Sequence, residues 1–236
     1  MLQQTQVARV VPAYRDFLGR FPTVRALGSA GLGDVLRAWR GLGYNRRARD
    51  LHRAARSSGR ALPSTVEELD ALPGVGAYTA GAVACFAFGQ RVAFADTNVR
   101  RVLGRVFLGR VATEHEAVAI DRELLPRDAA RWHHALMDIG ALFCRTRAPR
   151  CVDCPLATSC RGRGAPDRVL PRRQTPFATS DRRIRGWIVS LLAQRDAMTA
   201  SAIAAAIADE RVPRILAALE RDGLIERRHG RIALPS

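Results

Sequence analysis

The sequence predicts an all-α fold that ends in a small winged-helix-like domain. Three observations lead there. Apolar residues recur at helical spacing through residues 1–145, strand-like alternation is absent from that stretch, and residues 181–236 read as three helices and a hairpin. At 236 residues and 47% hydrophobic, the chain can bury a large core.

The first helical run carries Val7, Val10, Val11, Tyr14, Phe17, Leu18 and Phe21. No Ser, Thr, Asp or Asn stands ahead of Leu2 to cap it, so the chain opens inside an amphipathic helix. Pro12, Pro22, Pro63 and Pro73 are expected at segment starts or turns. Residues 65–88, TVEELDALPGVGAYTAGAVACFAF, spell a helix with Val66, Leu69 and Leu72, a stop at Pro73 and a second helix from about Ala77. Between them Gly74, Val75 and Gly76 form a tight turn. Its glycines allow positive φ and a close approach to a ligand, and its amides open a helix whose dipole favours an anion. This is a helix–hairpin–helix, a sequence-neutral clamp for a DNA phosphate.

Further on, VAFADTNVRRVLGR places Asp96 ahead of a helix with Val99, Val102, Leu103 and Val106 on one face. Asp is a good N-cap, and the same position fixes a carboxylate beside a reacting group. Cys85 lies alone in an apolar helix and is expected in the core. The other four cysteines follow the spacing Cys144-x6-Cys151-x2-Cys154-x5-Cys160. Four thiolates in one short loop hold a [4Fe–4S] cluster or a zinc ion. Only Cys151 and Cys154 form a CxxC knuckle, whereas zinc ribbons show two. Arg145, Arg147 and Arg150 lie between the first two ligands, placed to grip phosphate.

Residues 161–180 (RGRGAPDRVLPRRQTPFATS) change composition and read as a linker. Residues 181–194 form a helix through Ile184, Trp187, Ile188, Leu191 and Leu192. Thr199 caps a second helix through Ala208, Val212–Arg221 forms a third, and LIERRHGRIAL folds back at Arg228-His229-Gly230. The domains expected are therefore a helical core over 1–143, a cluster loop over 144–160, the linker, and the winged-helix-like domain over 181–236.

The net charge is +16, which points to a polyanionic partner, nucleic acid first. All 38 Lys+Arg residues are arginine, so no lysine amine is available for a Schiff base. No apolar run approaches the ~20 residues of a membrane span, and no signal-peptide pattern opens the chain. A soluble, cytoplasmic, nucleoid-associated monomer is expected.

Together, MLQQTQV, FPTV, GLGYNRRARDLH, LPGVGAYTAGAV, DTNVRRVLGR, ALMDIGALFC and the four-cysteine spacing cover roughly residues 1–165. In these the chain resembles the MutY-type adenine DNA glycosylases of the endonuclease III superfamily. The resemblance implies a helix–hairpin–helix glycosylase fold with a [4Fe–4S] loop. It also implies a monofunctional enzyme that removes adenine mispaired with 8-oxoguanine or guanine in double-stranded DNA. The superfamily's lyases carry a nucleophilic lysine where Tyr78 stands here.

By the same resemblance Asp96 would stabilise the oxocarbenium-like sugar, with Tyr78 beside the sugar and Asn98 hydrogen-bonded in the same site. Gln4 would fill the gap left by the flipped adenine, and Tyr44 would wedge beside the 8-oxoguanine. Thr5 and Leu42 would touch that lesion, and Leu2 would also face DNA. The family's Nudix-like C-terminal domain is replaced by the shorter winged-helix pattern, which weakens the expectation of strong 8-oxoguanine preference. Two other classes fit parts of the chain: a non-catalytic DNA-binding relative with a cluster, and a zinc-bearing regulator.

The family's general acid, a glutamate that protonates the adenine ring, falls two residues before the position of Met1. Within residues 1–20 the only acidic side chain is Asp16, far along the helical run. A general acid contributes roughly 10²–10⁴ in rate. Residues 1–236 alone are therefore expected to be nearly inactive on an adenine:8-oxoguanine duplex; robust turnover in a glycosylase assay would refute this.

Overall fold

The computed structural model describes residues 1–2, 5–164 and 175–236. Gln4 and residues 165–174 of the expected linker lie outside the described residues. Two compact units emerge, one of Met1–Leu62, Leu72–Gly74 and Gln174–Ser236, the other of Pro63–Ala71 and Val75–Arg173. Among the described residues no helix is long and apolar enough to cross a membrane.

The first unit opens with α1 (Val7–Arg20), α2 (Val24–Ser29), α3 (Leu32–Ala38) and α4 (Arg46–Ser58). Pro12 sits inside α1, not at a boundary. A proline there forfeits one backbone hydrogen bond, yet the helix continues because its second half is held by packing. Phe17 lies edge-on to Phe21 at 5.0 Å and to Trp39 at 5.9 Å. Val10 and Phe17 are buried, whereas Val7, Val11, Tyr14 and Leu18 form an exposed apolar stripe along the same helix. Thr23, from FPTV, caps α2 by accepting a hydrogen bond from the Ala26 amide at 3.0 Å.

The second unit carries α5 (Val66–Asp70), α6 (Ala77–Phe88), α7 (Thr97–Leu103), α8 (Glu114–Leu124) and α9 (Ala129–Leu142). Each start but one has a side-chain cap: Thr65, Asp96, Thr113 and Asp128 cap α5, α7, α8 and α9, while α6 opens on Gly76 with none. At α8 the cap is reciprocal with Glu116, whose carboxyl is lowered to about 2, first by the hydrogen bond from Arg110. The helix after Asp96 does not run straight through Val106; Gly104–Leu108 forms a π-helical turn. Gly104 makes that turn fit, since a Cβ there would lie 2.2 Å from the Ala112 amide nitrogen.

Two apolar clusters and one buried polar knot hold this unit. Val99, Val102, Leu103, Ala117 and Leu136 pack together, and Cys85, Phe94, Leu125 and Ala129 form the second cluster. Asp121, fully buried, accepts from His133 Nε2 at 2.8 Å, Trp132 Nε1 at 2.6 Å and the Phe94 amide at 3.1 Å. A buried carboxylate needs such a full set of donors to offset its lost hydration.

The chain's last segment belongs to the first unit. Here α10 (Asp181–Ala193), α11 (Ala200–Ile207) and α12 (Val212–Arg221) precede β1 (Glu226–Arg228) and β2 (Arg231–Ala233). The strands pair antiparallel in the register Glu226 with Ala233, and Met198 bridges to Ile232. Thr199 caps α11 as expected from its position. Ile184, Ile188, Leu192, Ile203, Leu216 and Leu219 join one continuous apolar core with Val10, Phe17, Val35, Leu36 and Trp39. The main chain is drawn in as well: the Gly33 amide donates to the Pro235 carbonyl at 2.7 Å. A Cβ on Gly33 would sit 2.6 Å from that oxygen, so the contact requires glycine. Asp222 at the end of α12 binds Arg46 of α4 at 2.6 Å and Arg185 of α10 at 2.5 Å.

Candidate functional site

The two glycines of the 74–76 turn behave differently. Gly74 has φ +76, and a Cβ there would lie 2.4 Å from that of Asp50. Gly76 is extended (φ −121) with open space around its Cα. Neither its backbone conformation nor a neighbouring atom therefore requires glycine at this position. The amide end of α6, free of a side-chain cap, opens directly behind Val75. Gly81, one turn into that helix, lets Phe94 pack against the α6 backbone, with only 2.8 Å left for a Cβ.

Asp96 is built into the start of α7. Its Oδ1 accepts the amides of Asn98 at 2.8 Å and Val99 at 2.7 Å, and its Oδ2 accepts Asn98 Nδ2 at 3.0 Å. Both oxygens are thus oriented while the residue stays partly exposed. Tyr78 stands near enough that Asp96 contributes to its pKa. Burial, and after it the Asp96 charge, push the phenol up, so it carries its proton at neutral pH. Its ring meets Phe94 edge-on at 5.8 Å. The structure thus brings Tyr78, Asp96 and Asn98 together.

Behind them lies a residue the sequence did not single out. Arg101 is buried, and its Nη2 donates to Asn98 Oδ1 at 2.6 Å and to the Gly140 carbonyl at 2.9 Å. Its Nε reaches the Cys144 carbonyl at 2.5 Å, and its Nη1 reaches Thr97 O at 3.2 Å. A buried guanidinium is tolerable when carbonyls satisfy it in this way. Gly140, inside ALMDIGALFC, leaves the room: a Cβ there would stand 2.5 Å from that of Asn98. A glycine in the middle of an otherwise good helix is the signal that could have found it.

All four cysteines of the spaced set line one small cavity, with Val102, Arg105 and Ile139 among its other walls. None is in a disulfide. Arg105 Nη1 donates to Cys144 Sγ at 3.4 Å, and the Gly164 amide donates to Cys151 Sγ at 3.4 Å. Burial pushes the Cys160 thiol up, the hydrogen bond from the Gly162 amide opposes this, and the other three cysteines add to the rise. Among the described residues no three His, Cys, Asp or Glu side chains are gathered around a single metal ion. The π-helical turn anchors the far end of the loop: Arg105 O accepts from the Gly162 amide at 2.9 Å, and Val106 O from Arg161 at 3.2 Å. Arg145, Arg147 and Arg150 are exposed on this loop; Arg150 pairs with Asp153 at 2.6 Å.

In the first unit, Thr5 Oγ1 donates to the Leu42 carbonyl at 3.1 Å and lies 3.5 Å from Arg47 Nη2. The Leu42 side chain is in the core, whereas Leu2 and Tyr44 are exposed. Gly41, Gly43 and Tyr44 all adopt positive φ (86°, 70° and 48°), a conformation that costs Tyr44 strain. The bend lifts the tyrosine out of the core that an aromatic in this pattern would otherwise join. The Arg47 guanidinium lies 5.4 Å from its ring.

The family model for the HhH-GPD superfamily base excision DNA repair protein matches residues 1–127. The adenine DNA glycosylase of Mycobacterium tuberculosis H37Rv is 42% identical over 252 aligned residues, covering 100% of this chain and 83% of that protein. That of Mycolicibacterium smegmatis is 44% identical, covering 84% of this chain and 70% of its own. The human adenine DNA glycosylase is 39% identical over 69% of this chain and 32% of its own length. Among solved structures, a non-covalent endonuclease III–DNA complex aligns with TM-score 0.60 at 27% identity, over 68% of this chain and 78% of that one. A thermostable thymine-DNA glycosylase aligns with TM-score 0.59 at 27% identity, over 68% and 79%.

Proposed function

From the premise that the chain belongs to the HhH-GPD superfamily of base excision DNA repair proteins, as an adenine DNA glycosylase, we propose how its residues divide the work. The substrate is adenine mispaired with 8-oxoguanine or guanine. Asp96 carries the reaction: as the C1′–N9 bond stretches, its carboxylate faces the positive charge that develops on the sugar. The observation that supports this is its double anchoring by two α7 amides and the Asn98 side chain. A fixed charge needs no reorganisation when the transition state forms.

Asn98 holds the second carboxylate oxygen, and Arg101 pins Asn98 in turn. The protonated Tyr78 shapes the sugar side of the site and cannot act as a lysine would. With no lysine in the chain, the bond is cleaved by water and no Schiff base forms. The turn at 74–76 and the arginines at 145, 147 and 150 take backbone phosphates. Thr5 and Tyr44 face the base opposite the adenine; Leu42, its side chain in the core, contributes by holding the Thr5 hydroxyl at its carbonyl.

The four cysteines hold a [4Fe–4S] cluster that organises the loop carrying those arginines. A shared cavity, reduced thiols and N–H donors aimed at two of the sulfurs fit that group. Purified protein should contain about four irons and four sulfides per chain; one zinc per chain and no sulfide would overturn this part.

The catalytic reading is tested by Asp96→Asn in a protein that also carries the upstream acid. Asparagine keeps the helix cap and removes the charge. Single-turnover excision should fall about 10²–10³-fold while affinity for the mispaired duplex is retained. Excision within a few-fold of wild type would remove Asp96 from the mechanism.

A further inference from the structure

The first unit contains an open groove of about 560 Å³ between the Tyr44–Arg47 segment and the start of α10. Its walls include Tyr44, Arg46, Arg47, Phe177, Arg182 and Arg185. The HhH-GPD family model ends at residue 127, so the α10 side of this groove lies outside it. Four of these six side chains are guanidinium groups. Asp222 anchors and orients both Arg46 and Arg185; its single negative charge offsets one of the four guanidinium charges, so the wall stays positive.

Arg182 ties the two sides together. Its Nη1 donates to the Tyr44 hydroxyl at 3.2 Å and its Nη2 to the Thr175 carbonyl at 2.6 Å. Phe177 lies on a short 3-10 turn just ahead of α10 and is 65% exposed. An exposed aromatic face in an arginine-lined channel is the arrangement that binds a nucleic-acid strand. Arginines take the phosphates, and the ring stacks on a base whatever its identity.

We propose that this groove carries the DNA strand opposite the excised adenine, with its backbone across Arg46, Arg182 and Arg185 and a base stacked on Phe177. The strand assignment rests on the reading of Tyr44 as the residue beside the opposing base, because the groove starts at that tyrosine. The C-terminal segment is then a second DNA-holding surface, and Arg182 positions Tyr44 from it.

The test uses the full chain and an adenine:8-oxoguanine duplex, followed by fluorescence anisotropy. Phe177→Ala should weaken binding at least about fivefold. Arg182→Gln should weaken it and lower the slope of log affinity against log salt by about 0.9. Phe177→Trp keeps an aromatic face and should bind as wild type, which separates stacking from any folding defect. Arg37→Gln removes a charge outside the groove and should leave affinity unchanged. A 2-aminopurine stepped along the 8-oxoguanine strand should find a position quenched by the wild type and not by Phe177→Ala. Wild-type affinity in both Phe177→Ala and Arg182→Gln, or quenching only in the adenine strand, would overturn the groove and leave the glycosylase reading intact. A wild type that binds no mispaired duplex would sink both.

Discussion

The capping of α7 by Asp96 is the interaction on which the rest of the second unit's site depends. One carboxylate satisfies two backbone amides at a helix start and also faces outward. Neither task alone would require Asn98, but both oxygens can be held at once only if a third donor reaches Oδ2. That donor must be oriented, and Arg101 does this from below with its charge satisfied by carbonyls of α7, α9 and the loop after it. The chain of dependence ends at Gly140, whose missing side chain is what lets Asn98 sit against α9.

The same helix reaches the cysteine cavity. Arg101 and Arg105 lie four residues apart and therefore on one face of the segment. Both contact residue 144, one at its carbonyl and the other at its sulfur. The π-helical turn then offers carbonyls to Arg161 and Gly162 just beyond the last cysteine. Loop and site thus share one support, so a disturbance of the cysteine loop has a short physical route to Asn98.

The helix–hairpin–helix, the capping Asp96 and the cysteine set were legible in the sequence because each is short-range. The positive φ of Gly74, the cap made by Asp96 and the cysteine spacing each act within one turn or one loop and carry the geometry locally. The helices and hairpin after residue 180 were legible for the same reason. What escaped depends on contacts between distant segments. Arg101 looks like one more surface arginine beside Arg100 until α9 supplies its acceptors. Pro12 reads as a boundary until Phe17 and Trp39 show what holds the helix past it. The π-helical turn at Gly104 follows from the close approach of Arg110 and Ala112, which no local pattern announces. Residues 181–236 carry their own helical pattern, yet their apolar faces complete a core with α1 and α3, and nothing local names that partner.

We propose that Asn98 works by orienting the Asp96 carboxylate and not by touching the sugar itself. A double-mutant cycle on single-turnover adenine excision, in protein bearing the upstream acid, tests it most directly. Asp96→Ser keeps the cap and removes the carboxylate. Asn98→Ala should slow the wild type strongly and should slow the Asp96→Ser variant no further. Loss by the same factor in both backgrounds would instead give Asn98 an independent role.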